Sequence, residues 1–137
     1  MLHAKDEGLA EAVRAANRVF IIGNGGSFAN AQHIANDLLA CGIAAHTIDP
    51  ATLTAFSNDY GYYTALARWI HVVAVEGDLL IALSGSGKSA NILNACKIAE
   101  SNNVRVWRVF GAERGQDMQA AEEYQIHLGH ELRRALL

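Results

Sequence analysis

Twice in this chain an unbroken apolar run stops at a glycine-rich turn that leads straight into a helical pattern. Val19 to Ile22 ends at Gly23-Asn24-Gly25-Gly26-Ser27, and Asp78 to Leu83 opens into Ser84-Gly85-Ser86-Gly87-Lys88-Ser89. Short runs that are apolar throughout are buried on both faces, as strands of helix-covered parallel sheets are. Helical and extended patterns alternate around these two anchors. Leu9, Ala12, Val13 and Ala16 recur at helical spacing, and Ser27 to Leu39 predicts a helix with Ser27 as its N-cap and Gly42 as its stop signal. Ala44 to Ile48 predicts a strand, Pro50 to Ser57 and Tyr62 to Val75 two helices, Asn91 to Ser101 a further helix and Val104 to Phe110 a further strand. A loop at Gly111 to Asp117 and a short helix around Met118 to Ala121 then lead to Tyr124 to Leu128, which reads as a last strand. The expectation is an α/β domain with a mostly parallel sheet between helical layers.

Length and composition agree with one core and narrow the partners. The 137 residues are 51% hydrophobic and 18% charged, which is neither a disordered nor a fibrous profile. The eleven Lys and Arg are scattered and the net charge is -3, so no basic stripe exists to release counterions from nucleic acid. Cys41 and Cys96 lie far apart without CxxC spacing and read as reduced core residues. No apolar run approaches the roughly 18 residues that span a bilayer, and no signal peptide is seen. The expected address is cytoplasmic, with neither membrane nor nucleic acid as partner.

The two glycine-rich turns are where chemistry is expected, because parallel sheets bind ligands at the carboxyl ends of their strands. In the second turn, serine hydroxyls, glycines that let the backbone approach, and the free amides of a following helix together suit a phosphate dianion. Hydrogen bonds to a charged group are worth about 1.5 to 3 kcal/mol each, so four or five donors dominate the affinity. Lys88 adds charge. A nucleotide P-loop is excluded although Gly87-Lys88-Ser89 copies its ending, because Ala82 stands where the pattern needs glycine. The dinucleotide fingerprint is only half met, since Phe28 occupies its third glycine position. The bland alternative, two tight connections without a ligand, is disfavoured by their matching positions.

Four motifs in one order carry a resemblance. Gly23-Asn24-Gly25-Gly26-Ser27, Ala31-Gln32-His33, Leu53-Thr54-Ala55 with Ser57 to Tyr62, and Gly77-Asp78 leading into Ser84 to Asn91 resemble the sugar isomerase (SIS) domain of phosphoheptose isomerases. The resemblance covers about 19–128. It implies a flavodoxin-like three-layer sandwich with a five-stranded parallel sheet, a single SIS domain over 1–137 that is short at both ends, and sedoheptulose 7-phosphate as substrate. It also implies a homo-oligomer, dimer or tetramer, whose sites lie between subunits.

Residue by residue, the resemblance places phosphate contacts on Ser84, Ser86 and Ser89, with Gly85 where the family usually has Thr. Asn24, Gly25 and Ser27 match sugar- and phosphate-facing positions, and Asn58 and Asp59 match a polar turn that contacts the sugar. His33 and Asp37 fall one turn apart on a helix face, where the family has His and Glu. Ketose–aldose interconversion needs a base that removes a proton beside the carbonyl and returns it to the neighbouring carbon, and Asp37 is the candidate base. Its bland reading is a solvated helix carboxylate. His33 and Asp37 also suit zinc as an imidazole and carboxylate pair, and the resemblance allows it.

The resemblance further implies a Gln and, eight residues on, an acid and metal-ligating His on a long helix after the last strand. No such pair follows Leu128. Two functions are therefore expected: an isomerase of seven-carbon sugar phosphates, or a non-catalytic phosphosugar-binding sensor or assembly module without the C-terminal acid. His127 is expected on a strand edge, and neither it nor His130 is assigned catalysis. His3, His46 and His71 read as surface or core histidines, and Trp69 and Trp107 as core or interface anchors.

Overall fold

The computed structural model of the chain describes residues 2–137. A 3-10 turn at Ala4–Asp6 precedes α1 (Leu9–Ala15), β1 (Val19–Ile22), α2 (Gly26–Ala40) and β2 (Ala45–His46). There follow α3 (Pro50–Tyr60), α4 (Tyr62–Val73), β3 (Leu79–Ser84), α5 (Ala90–Ser101), β4 (Arg105–Phe110), a second 3-10 turn at Gly111–Arg114, and α6 (Met118–Leu136). The strands form one sheet in the order β2-β1-β3-β4, parallel at every pairing.

Alternation along the strands builds two cores. Val19 and Ile21 of β1 with Leu79, Ile81 and Leu83 of β3 meet α1, α2 and α6 through Leu9, Val13, Ile34, Leu38, Leu128 and Leu132. Phe20, Ile22, Leu80 and Ala82 face the other way, onto Leu66 and Ile70 of α4 and Ile92, Ala95 and Cys96 of α5. Both central strands are buried along their whole length, as their unbroken apolar runs require. Trp69 packs edge-on against Phe20 in the second core.

The sheet has four strands among the described residues, not the five expected. Residues 124–128 lie inside α6. Asp117 caps that helix by accepting from the Ala120 amide at 2.8 Å, and its buried residues Ala121, Gln125, Leu128 and Leu132 recur every three or four positions. The local alternation of Tyr124, Ile126 and Leu128 mimics a strand only when that longer period is overlooked. His127 is consequently a helix residue whose ring lies against Tyr124, not a strand-edge histidine. Ser27 is not the cap of α2, since the helix begins one residue earlier behind Gly25, whose φ of +55° few side chains tolerate. Cys96 is buried as expected, whereas Cys41 is half-buried with its Sγ 3.7 Å from the Arg133 carbonyl.

A buried polar cluster ties the amino terminus to the end of the chain. Asp6 accepts from Arg114 Nη2 at 2.8 Å, Trp107 Nε1 at 2.9 Å and the Tyr124 hydroxyl at 2.5 Å, and both members of the Asp6–Arg114 ion pair are shielded from water. Every carboxylate oxygen is thus matched, the condition under which a buried charge is tolerated. Burial, and then the bond to Asp6, pushes the Tyr124 phenol up to about 12. A raised value means that folding favours the protonated phenol, so its stabilisation is complete below the ordinary value near 10 and disappears as pH climbs towards 12. Chemical denaturation should show wild-type stability falling more steeply than that of Tyr124→Phe across this window; parallel pH profiles would refute the assignment.

Candidate functional site

The carboxyl ends of β1 and β3 deliver the two glycine-rich turns to one edge of the sheet, where Asn24, Ser27, Ser84, Gly85, Ser86, Ser89 and Met118 line a cavity of about 50 Å3. Within the serine loop, Ser84 Oγ accepts from the Gly87 amide at 2.9 Å and Ser86 Oγ from the Lys88 amide at 3.1 Å. These bonds use hydroxyl lone pairs and leave each O–H available as a donor. Ser89 stands at the N-cap of α5 without bonding the helix, so its hydroxyl and the first-turn amides remain available as well. The loop is a cluster of donors at a helix amino terminus, an arrangement that favours an anion.

Asn24 braces the loop. Its side chain exchanges hydrogen bonds with Asn91, at 2.9 and 2.8 Å, and its Oδ1 also accepts from the Tyr62 hydroxyl at 2.7 Å. Asn91 is 2% exposed, so this amide pair locks the first turn to α5. Sequence reasoning missed Asn91 and Tyr62 as partners because nothing local signals pairings across 67 and 38 residues.

Not all expected residues gather here. Gly25 sits at the head of α2 outside the cavity lining, and Lys88 is exposed beside it. Asn58 and Asp59 lie in the last turn of α3, exposed and bonded to each other at 3.2 Å, not in a turn facing the cavity.

A second cluster forms where α6 lies along α2. Ser27 accepts from Gln125 Nε2 at 3.1 Å, and Asn30 donates to Gln125 Oε1 at 2.8 Å and to the Glu122 carbonyl at 3.0 Å. The Glu122 carboxylate packs on Gly26, at the end of α2 where negative charge is favoured. Further along, Gly129 faces α2, and a Cβ there would lie 2.8 Å from Ile34 Cγ1. That close approach brings His130 beside His33, with ring centroids 5.4 Å apart.

Asp37 is buried between them, with 7% of its side chain exposed, which removes the reading of a solvated helix carboxylate. Its Oδ1 accepts from Arg133 Nη1 at 3.3 Å. Its Oδ2 lies 3.4 Å from His33 Nε2, yet no hydrogen bond satisfies it. One ligand atom each from His33, Asp37 and His130 fall within 4.8 Å of one another. Two imidazoles and an orphaned buried carboxylate oxygen make a donor set that fits a divalent metal such as zinc. His130 and Gln125 were missed because residues 124–128 were read as a strand, which left their helix out of account; eight residues after Gln125 stands Arg133.

A parallel sheet, serine hydroxyls and helix amides gathered at the carboxyl ends of its strands, and a helix-borne histidine and carboxylate pair define an α/β domain with a candidate anion site at the sheet edge. A sequence model of the SIS domain matches residues 2–111, and the chain belongs to this family. Within it the chain is similar to phosphoheptose isomerases. It is 38% identical over 120 residues to that of Akkermansia muciniphila, covering 82% of this chain and 64% of the relative. It is 43% identical over 100 residues to that of Crocosphaera subtropica, covering 67% and 51%. The structure of phosphoheptose isomerase GmhA from Neisseria gonorrhoeae superimposes with a TM-score of 0.84 at 26% identity, over 95% of this chain and 81% of that one. A phosphoheptose isomerase from Francisella tularensis shares the fold with a TM-score of 0.86 at 24% identity, covering 96% and 84%. The chain spans between half and two thirds of the length of the curated relatives it matches.

Replacing Asn24 by Ala leaves the buried Asn91 amide without its partner, a loss of about 1 to 3 kcal/mol. Urea denaturation should show a drop of that size in Asn24→Ala and a smaller one in Asn24→Asp; full stability of Asn24→Ala would remove the brace from the account.

Proposed function

We propose that this chain is a phosphosugar isomerase domain acting on sedoheptulose 7-phosphate, with the phosphate held by Ser84, Ser86 and Ser89. The observation that carries the reading is that one chain holds both a donor-rich cradle, which Ser27 at the start of α2 helps to line, and a buried, incompletely satisfied carboxylate further along the same helix. The curated relatives named as phosphoheptose isomerases support it.

The chemistry follows from the residues. Phosphate binding anchors the substrate at its far end, so that the carbonyl end extends away from the cradle. Asp37 accepts the proton from the hydroxyl-bearing carbon beside the carbonyl, and the hydroxyl proton passes to the former carbonyl oxygen. The enediolate regains the carbon-bound proton at the former carbonyl carbon, which completes the ketose–aldose exchange. Arg133 pairs with Oδ1, so Oδ2, buried and without a hydrogen bond, is the oxygen that would take the proton or bind a metal, but not both at once. His33, Asp37 and His130 would hold a divalent metal, which supplies Lewis-acid polarisation of the substrate oxygens when bound.

His130 answers the absence that favoured a non-catalytic module: it supplies an acid and ligand from α6, five residues after Gln125 and not eight. Along α2, His33 lies about 9 Å and Asp37 about 15 Å beyond Ser27 by helix rise. A site completed by a neighbouring subunit fits that separation and the homo-oligomer the family resemblance implies. Asn58 and Asp59, exposed on α3, are then sugar contacts offered across such an interface. A cytoplasmic enzyme is the corresponding setting.

Conversion of sedoheptulose 7-phosphate, followed by NMR, tests the reading. Asp37→Asn should lower kcat about 10²- to 10⁴-fold while leaving phosphate binding intact, and His130→Ala should weaken zinc binding measured by chelator competition. Phosphate binding by the wild type without turnover, with and without zinc, would select the binding module instead.

A further inference from the structure

Met118 is the one lining residue of the phosphate cradle that belongs to neither glycine-rich turn nor the strand leading into it. It is the first residue of α6, and its side chain lies directly over Gly85. A Cβ built on Gly85 would fall 2.7 Å from Met118 Cε, still closer to Sδ, and 3.7 Å from the Ala121 methyl. Glycine at position 85 and a long thioether at 118 therefore share a single volume, and one sets the size of the other.

The loop has little room to withdraw from this contact. The Gly85 carbonyl accepts from the Ala112 amide at 2.9 Å, and Gly111, immediately before it, is packed against Ala121 with no space for a side chain. On the other side the buried Arg114–Asp6 pair anchors the turn that carries Ala112. The thioether is the adjustable element between two fixed backbones, which suits an unbranched side chain that fills irregular gaps.

We propose that Met118 is the specificity-determining wall of the cradle: seated on Gly85, it limits the space among Ser84, Ser86 and Ser89 to one terminal phosphoryl group and excludes diphosphates. The inference rests on the phosphate-binding reading and deepens it. A cavity of about 50 Å3 holds a compact anion, and Met118, although 54% exposed, closes its Gly85 side with an apolar surface. Removing that wall has two effects at once: the monophosphate loses a contact, and a longer anion gains space.

Titration with inorganic phosphate and with pyrophosphate, monitored by calorimetry and 31P NMR, tests this on the whole chain. The wild type should prefer phosphate. Met118→Ala should weaken phosphate binding and improve pyrophosphate binding, moving the ratio of the two by about tenfold. Met118→Leu, which keeps the volume, should retain the wild-type ratio. Gly85→Thr alone should lose phosphate affinity through collision with Met118, and the double variant Gly85→Thr with Met118→Ala should recover it. An unchanged ratio in Met118→Ala, or full affinity in Gly85→Thr, overturns the proposal. A wild type that binds neither anion overturns the phosphate-binding reading and this wall with it.

Discussion

Helix α6 can lie against α2 only because Gly129 has no side chain where Ile34 and Asp37 stand, and both halves of the candidate site follow from that contact. A Cβ at Gly129 would meet Ile34 at 2.8 Å and Asp37 Oδ2 at 3.4 Å, so even alanine would press the helices apart. Towards the sheet edge the same seam carries the buried Ser27–Gln125–Asn30 bonds, which hold the start of α2 beside the serine loop. Towards the other end it sets His130 beside His33 and Arg133 on Asp37. A buried carboxylate that pairs with Arg133 on one oxygen and has no hydrogen bond on the other is costly in a purely structural role. That imbalance is the physical reason for reading the cluster as functional.

The serine loop depends on the sheet in a different way. Parallel β1 and β3, buried on both faces, end side by side, and each must turn sharply into a helix on the layer it feeds. Their turns therefore face one another without any special device, and the Asn24–Asn91 exchange fixes the spacing between them. The donors that suit a phosphate are the amides of a helix amino terminus and the hydroxyls of Ser84, Ser86 and Ser89, the first two of which are oriented by accepting a loop amide. Little rearrangement is needed on binding, which is the economy that preorganisation provides.

Much of this was legible in the sequence because it is local. Unbroken apolar runs ending in glycine marked β1 and β3, and hydroxyl spacing marked Ser84, Ser86 and Ser89. His33 and Asp37 were marked by the family resemblance, and their one-turn separation placed them on one helix face. What escaped notice depends on contacts distant in sequence or on a period misread. Tyr124, Ile126 and Leu128 alternate like a strand over five residues, while the helical period of Ala121, Gln125, Leu128 and Leu132 emerges only over twelve. That misreading cost the fifth strand its existence and hid Gln125 and His130. The partnership of Gly85 with Met118 spans 33 residues and has no signature in either neighbourhood. Asn58 and Asp59 were expected in a turn, but α3 continues to Tyr60 and carries both on its exposed last turn.

The claim at the centre is that a phosphorylated ketose is anchored at the junction of β3 and α5. A crystal structure with sedoheptulose 7-phosphate bound addresses it most directly. The account expects the phosphate oxygens within hydrogen-bond distance of the Ser84, Ser86 and Ser89 hydroxyls, and the carbonyl end directed to an Asp37 carboxylate. A phosphate bound elsewhere, with these three hydroxyls still facing solvent, would contradict it.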